Sequence, residues 1–177
     1  NKVDVICASN VICHIPNLKD LISSIDKLLS KDGVFIFEEP YMGSMFKKTS
    51  YDQIYDEHIY MFSLSSVKKI FELFDFELID AIPLNTHGGS MRYVIGRKNI
   101  HAVNKKVNEI LDNEKINKLD DISSCLKFKQ DCEKSKEKTI KEVNKLKELG
   151  KRICGYAATA KSTTLLNYCK LDSETIE

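Results

Sequence analysis

The sequence predicts a mixed α/β protein. Three observations carry that prediction. A strand, a helix and a second strand follow one another between Val3 and Pro40. Two strand-like blocks, Phe76 to Leu84 and Ser90 to Arg97, flank a loop containing Gly88 and Gly89. Lysines then alternate with carboxylates from about Asn99 to Gly150. The first pattern implies parallel strands with a right-handed crossover. The second adds an antiparallel edge and makes the sheet mixed. The third is the texture of long, solvated helices.

Val3 to Cys7 is short, apolar and rich in β-branched residues, as expected of a buried parallel strand. Leu18, Leu21, Ile22, Ile25, Leu28 and Leu29 recur at helical spacing, which predicts an amphipathic helix over 17–30, with Pro16 near its start. Lys31-Asp32-Gly33 is expected to stop it, and Val34 to Phe37 to form a second buried strand ending at Glu38-Glu39-Pro40. Ser63 reads as a helix cap ahead of Val67, Ile70, Phe71 and Phe74. Two adjacent glycines after His87 imply an unusual backbone or a close approach. Lys151 to Tyr156 reads as a further strand, Ala157 to Lys161 as a small-residue turn, and Ser162 to Tyr168 as a helix. Strand, tight turn and helix is an arrangement that offers free N–H groups to phosphate, although neither GxGxxG nor a Walker motif is present.

Bulk composition narrows the function. Net charge is +1, which gives no electrostatic case for nucleic acid or an anionic membrane. No apolar run approaches the roughly 20 residues that span a bilayer. The six cysteines form no CxxC and no zinc-type spacing with histidine, so they read as reduced thiols of a cytoplasmic protein. The chain opens on a strand without an initiator Met and closes just after a helix, so it reads as a piece of a longer protein.

The stretch richest in chemistry is YDQIYDEHIY, Tyr51 to Tyr60, downstream of the second strand. In parallel sheets the ligand crevice lies beyond the carboxyl ends of the strands. That rule brings His14, after the first strand, and the 51–60 loop to one edge, with His87 in a third loop. His58 can take a proton near neutral pH, a neighbouring carboxylate such as Glu57 can orient its ring, and Tyr55 can donate to an oxyanion. The same histidines could be metal ligands, but the sequence lacks the tight spacing that argues for a metal site.

Five blocks in order, DVICASNVICHIPNL, GVFIFEEPY, YDQIYDEHIYMFSLSSV, THGGSMR and GKRICGYAATAKSTTLLNYC, resemble the sugar C-methyltransferases. The resemblance implies S-adenosylmethionine as methyl donor and a nucleotide-linked keto sugar as substrate. It also implies zinc only in an N-terminal module that these residues do not include. It places residues 1–98 in the later half of a class I, Rossmann-like methyltransferase domain, 99–150 in a helical connector, and 151–177 at the beginning of a C-terminal Rossmann-like domain. His14, Tyr55, Glu57 and His58 match the family's catalytic residues. His58 is expected as the base that makes an enolate, with Glu57 orienting it. Tyr55 and His14 are expected to hold sugar or enolate oxygens, and the carbanion to attack the sulfonium methyl. Asn10 is expected near the cofactor's methionine end. His87, Arg92, Tyr156 and Lys161 are expected as substrate contacts; GYAATAK departs from the family's GYGAPAK-like block. The alternatives are an O- or N-methyltransferase acting on a sugar or small metabolite, and a non-catalytic fragment.

Overall fold

The computed structural model describes residues 2–156 and 159–177. Among the described residues four strands form one mixed sheet: β1 (Val3–Ser9), β2 (Leu29–Pro40), β3 (Phe76–Leu84) and β4 (Ser90–Arg97). Their order across the sheet is β1-β2-β4-β3. β1 and β2 are parallel, while β2–β4 and β4–β3 are antiparallel, so the expected antiparallel edge is present. Among the described residues the helices are α1 (Leu18–Leu28), α2 (Met42–Lys48), α3 (Leu64–Glu72), α4 (Lys105–Ile116), α5 (Ile122–Glu148) and α6 (Ala160–Cys169). No helix is long and apolar enough to cross a membrane among the residues described.

One face of the sheet carries the core. Phe35 and Phe37 of β2 are buried with Tyr93 and Ile95 of β4, and the Phe37 and Tyr93 rings stack at 4.7 Å. Ile22 and Ile25 of α1, and Val67 and Phe71 of α3, close over them. The alternate residues Val34, Ile36 and Val94 are only half-buried. The period-two alternation of a strand therefore matters here: it sets Glu39 on the same buried face as Phe35 and Phe37.

Three expectations need correction. Among the described residues β1 is not a buried strand; it has only β2 beside it, and Val3 and Val5 are exposed. Lys31-Asp32-Gly33 does not stop the helix. α1 already ends at Leu28, and these residues lie inside β2, where the ladder to β1 shifts register between Val3 and Val5. Lys151 to Tyr156 is not a strand. Apart from Lys151 N–H to Leu146 O at 3.0 Å, its backbone hydrogen bonds among the described residues run to the last residue, Gly155 N–H to Glu177 O and Glu177 N–H to Ile153 O, each at 2.8 Å. That contact is too short to form a ladder. Residues 157 and 158 of the predicted turn lie outside the described residues.

The glycine expectation is met in detail. Gly88 and Gly89 have φ of +83° and +126°, and a Cβ on Gly89 would stand 2.5 Å from the Ser44 side chain. Ser63 caps α3 through a reciprocal bond with Ser66. A second device at that helix start was not visible in the sequence. Glu114 of α4 is buried, and its carboxylate accepts Leu64 N–H at 2.6 Å, Ser65 N–H at 2.9 Å and Tyr41 O–H at 2.8 Å. A charge at a helix N-terminus also meets the favourable end of the helix dipole. Burial and the Glu114 charge in turn push the Tyr41 phenol well up. Val107 of the same helix is part of the core and Ile110 and Leu111 pack against it, so α4 joins the sheet domain through an apolar face and the charge-assisted hydrogen bonds of Glu114.

Replacing Glu114 by Ala strips the acceptor from three donors, two of them main-chain groups, without harming helix propensity. It should lower stability by roughly 3 kcal/mol in denaturant unfolding. Tyr41→Phe, which removes one donor, should cost about 1 kcal/mol. A Glu114→Ala change no larger than the Tyr41→Phe change would contradict this role.

Candidate active site

The site is built at the carboxyl ends of the parallel pair. Beyond β1 the chain turns at Asn10, which has φ of +51° and donates its N–H to Glu38 O at 2.8 Å. A short 3-10 turn, Ile12–His14, follows. Its first N–H groups are held from below by Glu39, whose Oε1 accepts Val11 N–H at 2.9 Å and Ile12 N–H at 2.6 Å. Glu39 is completely buried, and its Oε2 has no partner among the described residues. Cys13 is buried beside it; burial first, and then the Glu39 carboxylate, push the thiol pKa well up.

The 51–60 loop is stapled onto this turn. Cys13 O accepts the N–H groups of Ile59 and Tyr60 at 3.0 and 3.3 Å. Tyr60 O–H donates to Pro16 O at 2.7 Å. From its other side the loop is held by α6. Tyr51 is buried, with its ring 4.9 Å from that of Tyr168, and Thr164 donates its hydroxyl to Ile54 O at 3.2 Å. Gln53 is buried and donates its amide to His87 O at 2.8 Å.

These ties bring His14, Tyr55 and His58 together. The His14 and His58 rings are 5.1 Å apart. His58 Nδ1 lies 2.8 Å from Gln53 O, and its Nε2 lies 2.7 Å from the Tyr55 hydroxyl. A main-chain carbonyl only accepts, so the proton sits on Nδ1 and Nε2 carries the lone pair. Tyr55 O–H then donates to Nε2. In the neutral tautomer of His14 the proton likewise sits on Nδ1, 2.7 Å from Glu57 O, and the lone pair on Nε2. Burial lowers the His58 pKa and outweighs the hydrogen bond to Gln53 O; the neighbouring His14 lowers it further. Burial raises the Tyr55 pKa, so the phenol keeps its proton.

Glu57 does not orient His58 through its carboxylate. Both ring nitrogens are already taken by Gln53 O and Tyr55, and the exposed Glu57 meets His14 through its main-chain carbonyl. The tight turn from Tyr55 to His58, closed by His58 N–H to Tyr55 O at 2.9 Å, sets that arrangement. His87 enters through its carbonyl, with its ring exposed and its φ at +50°. Arg92 pairs with Glu38 at 3.2 Å. Tyr156 is fully exposed and Lys161 half-buried; both line a cavity of about 490 Å³ that also includes Lys48, Ser50, Tyr51 and Ser162. The Lys161 charge reaches His58 and is one of the causes that lower its pKa. Glu39, Gln53 and Cys13 were not singled out from the sequence. Glu39 was findable, because a carboxylate two residues beyond Phe37 must share its buried face. Gln53 acts partly through its main chain, which no residue identity announces.

The family model of the C-methyltransferase C-terminal domain matches residues 85–177, just over half of the chain. The chain belongs to the C-methyltransferase family. A methyltransferase-domain model matches residues 1–81, the part that holds His14, Tyr55 and His58. The C-methyltransferase NovU of Streptomyces niveus is similar, 29% identical over 164 residues. That match covers 92% of this chain and 39% of NovU, so the chain spans about two fifths of that C-methyltransferase's length.

For this C-methyltransferase-family chain the depressed His58 pKa has a stability consequence. The folded value lies below the unfolded value near 6.5. The unfolded chain therefore binds the proton first. The neutral ring's contribution is fully present above that unfolded value and is lost as pH falls through the folded one. The thermal midpoint should fall more steeply between about pH 7 and 5 in the wild type than in His58→Gln. Parallel slopes would contradict the buried neutral ring.

Proposed function

We propose that this site performs the carbon-activating half of a C-methylation, on a nucleotide-linked keto sugar. The observation that carries the reading is His58 itself: a histidine whose Nε2 lone pair is fixed by a main-chain acceptor on Nδ1 and lies 2.7 Å from a phenol that keeps its proton. Methylating carbon needs a carbon nucleophile. A proton next to a ketone is removable when a base takes it and a donor holds the oxygen.

His58 Nε2 takes the proton. The C–H electron pair becomes the enolate double bond, and the carbonyl oxygen becomes the oxyanion. Tyr55 turns its O–H from Nε2 to that oxyanion. Gln53 O keeps the Nδ1 proton of the resulting imidazolium, and the buried Glu39 charge favours the cation. His14 Nε2 accepts a hydroxyl of the same sugar. A methylation on oxygen or nitrogen would not need this base-and-donor pair, which is why carbon is the preferred acceptor. Lys161 and Tyr156, lining the cavity beside the loop, are proposed to take the nucleotide end. Arg92 is the weaker candidate, because Glu38 already holds its guanidinium.

The family's donor is S-adenosylmethionine, which brings an electrophilic methyl group. The residues present do not form its cradle. Asn10 offers one amide, already bonded to Ser9 Oγ at 3.2 Å, and the chain's first glycine is Gly33. Among the residues present no close glycine turn is on hand for a nucleoside.

Two measurements test the reading. In deuterium oxide the protein should exchange the proton beside the ketone of a 4-keto nucleotide sugar, read by NMR. His58→Gln should slow that exchange on the order of 100-fold or more, and Tyr55→Phe about 10-fold. Wild-type exchange at the uncatalysed rate, or an undiminished rate in His58→Gln, would sink the assignment. Calorimetric titration of the 177-residue chain with S-adenosylmethionine should show no tight binding. Micromolar affinity would contradict the lack of a donor cradle in these residues.

A further inference from the structure

We propose that Cys13, His14 and His58 form a binding site for a zinc-class divalent cation, with Glu39 as its buried counter-charge. The site shares residues with the proposed base but does not depend on the methylation reading.

Four observations converge. A ligand atom from each of Cys13, His14 and His58 lies within 4.8 Å of the other two. Sulfur and imidazole nitrogen are the donors that zinc prefers over oxygen-loving cations. Both histidines give Nδ1 to a main-chain carbonyl, Glu57 O at 2.7 Å and Gln53 O at 2.8 Å. That outer contact fixes the tautomer and leaves Nε2 to bind, the usual support of a metal-bound histidine. Finally, Glu39 is wholly buried against the Cys13 thiol, and its Oε2 has no hydrogen-bond partner among the described residues. A buried carboxylate oxygen without a donor is costly. One thiolate and one carboxylate balance the two charges of the cation, and the two imidazoles add none.

Binding replaces one bond by another in a balanced way. The thiol proton leaves to solvent as the sulfur–metal bond forms. The Tyr55 O–H to Nε2 hydrogen bond breaks as that lone pair turns to the metal. In a tetrahedral site, ligands about 2.0–2.3 Å from zinc stand roughly 3.5 Å from one another, so the side chains close by about 1 Å. If the methylation reading holds, the metal-bound form has no base at His58, and zinc switches proton abstraction off.

Cobalt reports the site without any substrate. Titrating Co2+ into the reduced protein should give a near-ultraviolet thiolate-to-cobalt band that saturates at a single equivalent, with the intense visible bands of tetrahedral cobalt. The band should vanish in Cys13→Ser and persist when the exposed Cys7, Cys125 and Cys154 are all replaced by Ser. Should Cys13→Ser fold poorly, the wild type still decides. Zn2+ should shift the ring resonances of His14 and His58 and leave those of His87 and His101 in place. No thiolate band, a band that survives in Cys13→Ser, or zinc shifts at His87 or His101 instead would overturn the proposal. Because the spectra read binding alone, their failure leaves the proton-exchange reading standing, and loss of exchange leaves the metal site standing.

Discussion

The arrangement at the site rests on one buried carboxylate. Glu39 ends β2 on the face that carries Phe35 and Phe37, and one of its oxygens takes the N–H groups of Val11 and Ile12. An unpaired charge in that position would be prohibitive; two charge-assisted bonds to main-chain donors make it tolerable. The same bonds fix the turn from Ile12 to His14. That turn in turn offers Cys13 O to Ile59 and Tyr60, and so registers the 51–60 loop against β1. The chain of dependence runs from the pleat of β2 to Glu39, to the turn, and then to the loop with its histidine.

A second theme is that main-chain atoms, more than carboxylates, orient the histidines. Gln53 O and Glu57 O each hold an Nδ1 proton. A neutral acceptor fixes the tautomer without the charge that would raise the ring's pKa strongly. His58 can therefore stay neutral in a half-buried site, where burial already disfavours its cation. Holding the ring through backbone also makes its position depend on loop geometry, and that geometry is braced by α6 through Tyr168 and Thr164. The site thus joins residues from the stretch matched by the methyltransferase-domain model to a helix from the stretch matched by the C-terminal family model.

Much of the fold was legible because periodicity reports burial. The helical spacing around Ile22 and Ile25, the cap at Ser63, and the strands either side of the Gly-Gly loop all stand where the pattern put them. Two of the misreadings share a cause. β1 has the composition of a buried strand and Lys151 to Tyr156 was read as a strand, but burial and pairing are properties of neighbours, and among the described residues β1 has one neighbouring strand and Lys151 to Tyr156 no ladder. At the site, the gathering of His14, Tyr55 and His58 at one edge of the sheet was legible from their positions beyond strand ends. The role given to Glu57 was not, since adjacency in sequence says nothing about which atom of a residue faces a ring. Glu114 and the Gln53 side chain act across long sequence separations, and no local pattern encodes such contacts.

The proposed chemistry turns on which nitrogen of His58 carries the proton. Long-range nitrogen–proton NMR of the imidazole at neutral pH measures that directly. The geometry requires a neutral ring with the proton on Nδ1 and the lone pair on Nε2, facing Tyr55. A ring protonated on Nε2, or an imidazolium at neutral pH, would contradict it and remove the base from the proposed chemistry.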